Sequence, residues 1–361
     1  MAERHIDFLS GIRFHTPAEL MDLEVQHQQQ MKGLAVEIER RRKAAKQSAQ
    51  KEMLKATLQQ RLTAQTEQKL LESINEDWRA THRKFPINPR LSEALQLLEG
   101  GAPENHLAMQ LRQSSWLAKE LLSTVNSPAF RATSGHREAV TDLSHALASL
   151  GRERLHGTLA QFLCEQLKLT EDAAYAQTGR RCWQYAVVKA NTVALIAQAE
   201  GLDVEVARRL AWNDSYGLLA LIYLIESVLS PLRNHHLHQA RVGGKTSIHQ
   251  LLSDITPPPT LTKRLLLAQQ ETLSKRLLGD IAPACKYSHT VMNERWSSLP
   301  LRLTSPYCRI LLRANAYAQY FSLNEQRRIL PQEAVKLMQQ LGFSGEDLQE
   351  LDRQNLKKQR K

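Results

Sequence analysis

No stretch of this sequence alternates apolar and polar residues at the period of two that a half-buried strand requires. Apolar residues recur instead at three and four, in runs closed by proline, glycine or asparagine. Asn88 can cap a helix with Pro89 at its first position, Leu91, Leu95 and Leu98 follow at helical spacing, and Gly100-Gly101 ends it. Ser114 or Ser115 can cap the next run, Leu117, Leu121, Leu122 and Val125, which stops at Asn126-Ser127-Pro128 because proline disfavours helix in the residue before it. Asp142 to Leu150 repeats the pattern, with Gly151 as the stop. Further helices are predicted over 152–168, 180–199, 203–230, 246–254, 260–278, 306–322, 331–341 and 346–356, and Thr256-Pro257-Pro258-Pro259-Thr260 is the clearest loop. The outcome is an all-α chain with short connections.

The N-terminal part has a different texture. Thr16-Pro17-Ala18-Glu19 reads as a capping box, and from Ala18 to Phe85 there is no proline and one glycine, Gly33, where a break is expected. The apolar stripe is thin: Met31, Leu34 and Ile38, then Leu54, Leu58 and Leu62, then Leu70, Leu71, Ile74 and Trp78. No sustained heptad seam is present. Residues 1–84 are therefore expected to be a charged helical arm that docks at its two ends.

Charge and cysteine usage narrow the class. The 361 residues carry a formal net charge of +11, and residues 257–361 hold 17 basic against 9 acidic side chains. Lys357, Lys358, Arg360 and Lys361 end the chain, and Arg40-Arg41-Arg42-Lys43 form a second basic cluster. Both are candidate anion or nucleic-acid contacts, but no zinc-finger or RNA-binding signature accompanies them. Cys164, Cys182, Cys285 and Cys308 include no Cys-x-x-Cys pair, which argues against a zinc ribbon or redox motif and for buried thiols. The longest apolar run, Gly217 to Ile225, ends at Glu226 and reads as a core helix rather than a membrane span. The first residues lack a signal-like apolar segment, so a cytoplasmic protein is expected.

Between 85 and 165 the order of signals becomes specific. A proline-bounded helix and a short helix precede Leu121-Leu122-Ser123-Thr124-Val125-Asn126-Ser127-Pro128, and a loop leads to Ala146 four residues before Leu150-Gly151. Later come Cys182-Trp183-Gln184-Tyr185, Ala211-Trp212-Asn213-Asp214-Ser215-Tyr216-Gly217, Leu311-Leu312-Arg313-Ala314-Asn315 and Leu341-Gly342-Phe343-Ser344. This resembles the HDOD family, HD-related output domains of bacterial signalling proteins. Ser114-Ser115 stands where the family usually has Asp-Pro. The resemblance implies an HD-like orthogonal helical bundle (176–355) packed on an N-terminal helical subdomain (85–175), preceded by the arm and followed by a basic tail at 356–361.

The resemblance also locates a degenerate site. Catalytic HD proteins hold metal with His-Asp on one helix and further imidazoles, and the metal generates the attacking hydroxide. No His-Asp dipeptide occurs in this sequence. The matching positions are Asn213 and Asp214, and the upstream histidine position matches Tyr185, so only one carboxylate remains. The resemblance thus implies a non-enzymatic regulatory protein with no cofactor and no metal. A signalling protein is the expected partner. A small ligand touching Asn126, Ser127 or Trp183 is a second candidate, nucleic acid a less favoured one, and homo-oligomerisation through residues 1–84 a further one. The rival reading is a metal-dependent phosphohydrolase with a rearranged site.

Two other motifs fall short of a site. Asn234-His235-His236-Leu237-His238, with His249 and Asp254 nearby, lacks the i, i+4 spacing of a helical metal pair and reads as a solvated loop. Gln239 to Thr246 approaches a phosphate loop, but Gln239 replaces the required glycine and no apolar strand precedes it.

Overall fold

In a computed structural model of the chain, residues 1–12, 35–75, 77–134, 138–253, 255, 258–283, 285–297 and 299–357 are described. Among them there are sixteen α-helices and no strand. They are α1 (Ala2–Ser10), α2 (Ala35–Asn75), α3 (Trp78–His82), α4 (Pro89–Glu99), α5 (Glu104–Arg112), α6 (Ser115–Val125), α7 (Pro128–Ser134) and α8 (Leu143–Gln166). Then follow α9 (Ala176–Ala199), α10 (Val204–Val242), α11 (Thr246–Ser253), α12 (Pro259–Ile281), α13 (Lys286–Arg295), α14 (Pro306–Glu325), α15 (Pro331–Gln340) and α16 (Gly345–Arg353). The Thr16 capping box, Gly33, Asp254, Thr256, Pro257, Lys358, Arg360 and Lys361 lie outside the described residues.

Local chemistry sets many helix starts. The side chains of Asn88, Ser114, Asp142, Asp203, Ser305 and Ser344 each accept a hydrogen bond from a first-turn backbone N–H of the helix they precede. Gly151, at φ 67°, breaks α8 into two helical pieces, a conformation open to glycine at little cost.

The long α10 is the axis of the fold. Helices α8, α9 and α12 pack along it, and α2, α11, α13 and α14 also touch it. Residues Leu210 to Ile222 of α10 are all buried. By length and composition α10 is apolar enough to cross a membrane, and the other helices cover 61% of its most apolar stretch. Counting only unbroken apolar runs stops at Glu226 and misses this. At Gly217, α10 meets α12 so closely that a Cβ would overlap the Gln270 carbonyl oxygen and Ser274 Oγ. The Gly217 N–H donates to that hydroxyl at 3.1 Å.

Helices α4, α5 and α6 pack on α8, and α8 carries them to α10. A buried polar chain reinforces that junction. Arg209 Nη1 donates to His156 Nδ1 at 2.7 Å, which leaves His156 Nε2–H to donate to Glu99 Oε1 at 3.1 Å. Arg209 also reaches Glu153 at 3.4 Å. One imidazole thereby joins α4 to α10, with its tautomer fixed by the guanidinium.

The N-terminal residues divide by burial. Helix α1 packs on α12, α14 and α9. The C-terminal part of α2 buries Leu62, Thr66, Leu70 and Ile74 against the body, and Arg276 donates to the Ile74 carbonyl. The described side chains of 39–54 are exposed, so the first half of α2 projects from the body. At ~1.5 Å per residue, α2 is roughly 60 Å long.

Three segments differ from the sequence expectation. Helix α10 continues through Pro231 to Val242, so the histidine cluster lies on a helix and not in a loop. Proline deletes one backbone bond there, but Leu232, Leu237 and Ala240 still pack inward and His236 bonds Gln65 of α2 at 2.8 Å. Helices α7 and α13 were not anticipated, since neither carries a long apolar stripe. Cys164, Cys182 and Cys308 are buried, whereas Cys285 is partly exposed.

The Gly217 contact makes a prediction. Gly217→Ala should lower stability by at least about 1–3 kcal/mol through overpacking, read as a lower urea midpoint with helical circular dichroism retained. An unchanged midpoint would show that α10 and α12 separate freely.

Candidate functional site

Two of the three positions matched to the HD motif, Tyr185 and Asp214, meet where α9 crosses α10. Asp214 is buried in the first third of α10, with its side chain 1% exposed. Lys189 of α9, also 1% exposed, donates from Nζ to Asp214 Oδ2 at 2.9 Å. Arg295, at the end of α13, places Nε 3.6 Å from Asp214 Oδ1. Tyr185 lies one turn before Lys189, with the Lys189 ammonium 5.3 Å from its ring centroid. The Tyr185 hydroxyl donates to Asn315 Oδ1 on α14. Asn213 faces away from this group and donates through Nδ2 to Ser288 Oγ on α13 at 3.2 Å.

Helix α1 covers the cluster. The His5 ring lies 4.5 Å from that of Tyr185, and His5 is 2% exposed. Its Nε2 is buried without a hydrogen-bond partner. On the same helix Asp7 anchors α1 to α12 through Lys263 at 2.8 Å.

The electrostatics follow from burial and charge. Burial alone would raise the Asp214 carboxyl, but the Lys189 and Arg295 charges outweigh it and hold the group below its ordinary range. Burial pushes Lys189 down, opposed by Asp214. Burial, aided by the Lys189 charge, pushes His5 down to about 3. Burial and the Asp214 charge raise the Tyr185 hydroxyl.

This donor set does not suit a metal ion. The one carboxylate is engaged by an ammonium and a guanidinium, and the phenol is held high and bonded to an amide. Among the described residues, no group of three or more His, Cys, Asp or Glu is arranged to hold a metal. In the histidine cluster, His236 bonds Gln65, and His235 lines an open groove of about 630 Å3 between α2, α3 and α10, remote from Asp214.

The other candidate residues lie apart. Asn126 caps the end of α6, and its amide both donates to the Val140 carbonyl at 2.7 Å and accepts from the Val140 N–H at 2.8 Å. Ser127 Oγ accepts from the Phe130 N–H at 3.3 Å as α7 begins. Trp183 stacks on Trp212 at 5.5 Å, with the Lys168 ammonium 3.6 Å from its centroid. Lys357 pairs with Glu325 at 2.6 Å, and Leu356 beside it is buried. The Gln239–Thr246 segment forms the end of α10, a glycine turn and the first residue of α11, with no strand before it.

Sequence reasoning found Asp214 but not Lys189, Arg295 or His5. The signal for Lys189 was present: it is a single charge within Ala186-Val187-Val188-Lys189-Ala190, four residues after Tyr185 and on the same helical face. For Arg295 and His5, which come from distant helices, nothing local pointed to the site.

With this geometry in view, residues 99–235 match the family model of the HDOD domain. Residues 99–235 therefore form an HDOD domain. The matched segment runs from the end of α4 to within α10 and contains Tyr185, Lys189, Asn213 and Asp214. Among solved structures, the chain is similar to one named "Putative metal-dependent phosphohydrolase" from Shewanella amazonensis SB2B. Identity is 15% and the TM-score 0.49, over 82% of this chain and 95% of that one. No curated protein matches.

Two predictions test the cluster. Lys189→Met or Asp214→Leu alone should cost about 3–5 kcal/mol by stranding a buried charge, while the double variant should cost less than either. Chemical denaturation of the three variants reads this, and additive losses would contradict it. For His5 the folded pKa is depressed, so the unfolded chain binds the extra proton between about 3 and 6.5. Stability should then fall as pH drops through that window, by up to roughly 1.4 kcal/mol per pH unit from this group. His5→Leu should remove close to one proton from the pH dependence of unfolding; an unchanged slope would contradict a buried neutral imidazole.

Proposed function

We propose that this chain is a non-catalytic regulatory protein of bacterial signal transduction, acting by binding a protein partner or a small ligand. One observation carries the reading: Lys189 Nζ sits 2.9 Å from the only carboxylate left at the HD-motif positions, both side chains fully buried. An internal ammonium supplies the positive charge that a divalent cation would supply in a hydrolase. Replacing a metal by lysine keeps the electrostatic balance of the bundle but gives no Lewis acid and no metal-bound hydroxide. The remaining groups are poor substitutes for that chemistry, since Asn213 is bonded to a serine and the Tyr185 phenol resists ionisation. Helix α1 over Tyr185 further separates the cluster from solvent.

A regulatory role in the cytoplasm follows from this reading, and its output is recognition rather than turnover. The body offers surfaces from several helices, and a partner would read their arrangement.

Metal content and turnover test the proposal together. Desalted protein should hold far less than one equivalent of manganese, iron or zinc, and those ions should leave its unfolding temperature unchanged. Hydrolysis of phosphate mono- and diesters should be indistinguishable from that of Asp214→Asn. Stoichiometric metal, with hydrolysis abolished in that variant, would establish the phosphohydrolase instead.

A further inference from the structure

The C-terminal end of α1, the start of α9 and the end of α14 enclose a cavity of about 300 Å3. Among the described residues, Arg180, Arg181, Arg328 and Lys357 line it with one carboxylate, Glu325, which Lys357 already engages at 2.6 Å. Phe8 forms one wall, with the guanidinium carbons of Arg181 and Arg328 each 5.6 Å from its ring centroid. Arg328 Nη1 donates to the Ile12 carbonyl at 3.2 Å, and Arg181 Nη2 donates to Thr178 Oγ1 at 3.2 Å. Arg181 Nε is buried without a hydrogen-bond partner.

Four basic side chains converge on this space. Among the described residues, neither Arg180 nor Arg181 is paired with a carboxylate. Burial and the like charge of Arg328 both work against the charged form of Arg181. Holding such groups around a half-enclosed space is unfavourable for the protein alone, because repulsion grows as solvent is excluded. An anion in the cavity would relieve it. Guanidinium forks match phosphate oxygens, and neutral glutamine side chains on the walls add donors. The volume lies at the small end of ligand sites, enough for one or two phosphoryl groups.

We propose that this cavity is a binding site for the phosphate group of a small phosphorylated ligand. The site is distinct from the Asp214 cluster but borders it, since Val188 lines the cavity and Lys189 follows in sequence. A phosphate held by Arg180 and Arg181 of α9 beside Phe8 of α1 would tie those helices together and secure α1 over Tyr185. The inference stands apart from the regulatory reading: it requires only binding, and it would hold equally in an enzyme.

The experiment uses the full chain, with inorganic phosphate and pyrophosphate as probes and chloride at matched ionic strength as control. Calorimetry should show saturable binding of at least one probe, and hydrogen exchange should show added protection of α1 amides. Arg180→Gln, at an exposed position, and Arg181→Gln should each weaken binding roughly tenfold or more, the loss of a hydrogen bond to a charged group. Arg40→Gln on the projecting half of α2 should leave it unchanged. Circular dichroism confirms that each variant is folded, and Arg180→Gln alone suffices if Arg181→Gln is not. No saturable binding, or equal binding by wild type and Arg180→Gln, overturns the proposal.

Discussion

The buried contact between Lys189 and Asp214 organises the centre of this molecule. Two charges with 1% exposure each survive there because each is the other's partner, and Arg295 adds a second positive group to the same carboxylate. Such a pair contributes little net stability compared with apolar residues of the same volume, but it penalises any arrangement that separates its members. It therefore fixes how α9 lies on α10, and the helices around that crossing inherit the geometry. Tyr185, one turn from Lys189, then carries the constraint outward to Asn315 on α14 and to His5 on α1.

The same pairing explains how a lone carboxylate is held in the core of the bundle. A carboxylate in the core of an all-α bundle needs a positive charge nearby, whatever its source. Lysine meets that need within the fold and makes it permanent. The cover provided by α1 has the same character: an apolar ring contact and a neutral imidazole seal the cluster, and the salt bridge from Asp7 to Lys263 holds the cover at its edge.

Much of the fold was legible because helix boundaries are local chemistry. Asn88, Ser114, Asp142 and Gly151 announce starts and stops within a few residues of themselves, and the structure uses each in that way. What local reading missed was decided by tertiary contact. Pro231 reads as a helix end, yet packing of Leu232, Leu237 and Ala240 carries α10 past it. Helix α13 has a weak apolar pattern but places Arg295 at the cluster. The site was legible to the extent that one motif position, Asp214, kept its residue. Its true partner lies 25 residues away on another helix, and its cover lies in the first helix of the chain. Neither relation has a spacing that a linear pattern can display.

The most direct measurement is the state of the Lys189 side chain, observed by nitrogen NMR in the folded protein at neutral pH with Asp214→Asn as the assignment control. The account predicts a protonated ammonium, slow to exchange with solvent, whose resonance is unchanged by excess zinc. A neutral amine, or a Lys189 signal displaced by one equivalent of zinc, would mean that Asp214 is free to take a metal and that lysine has not replaced it.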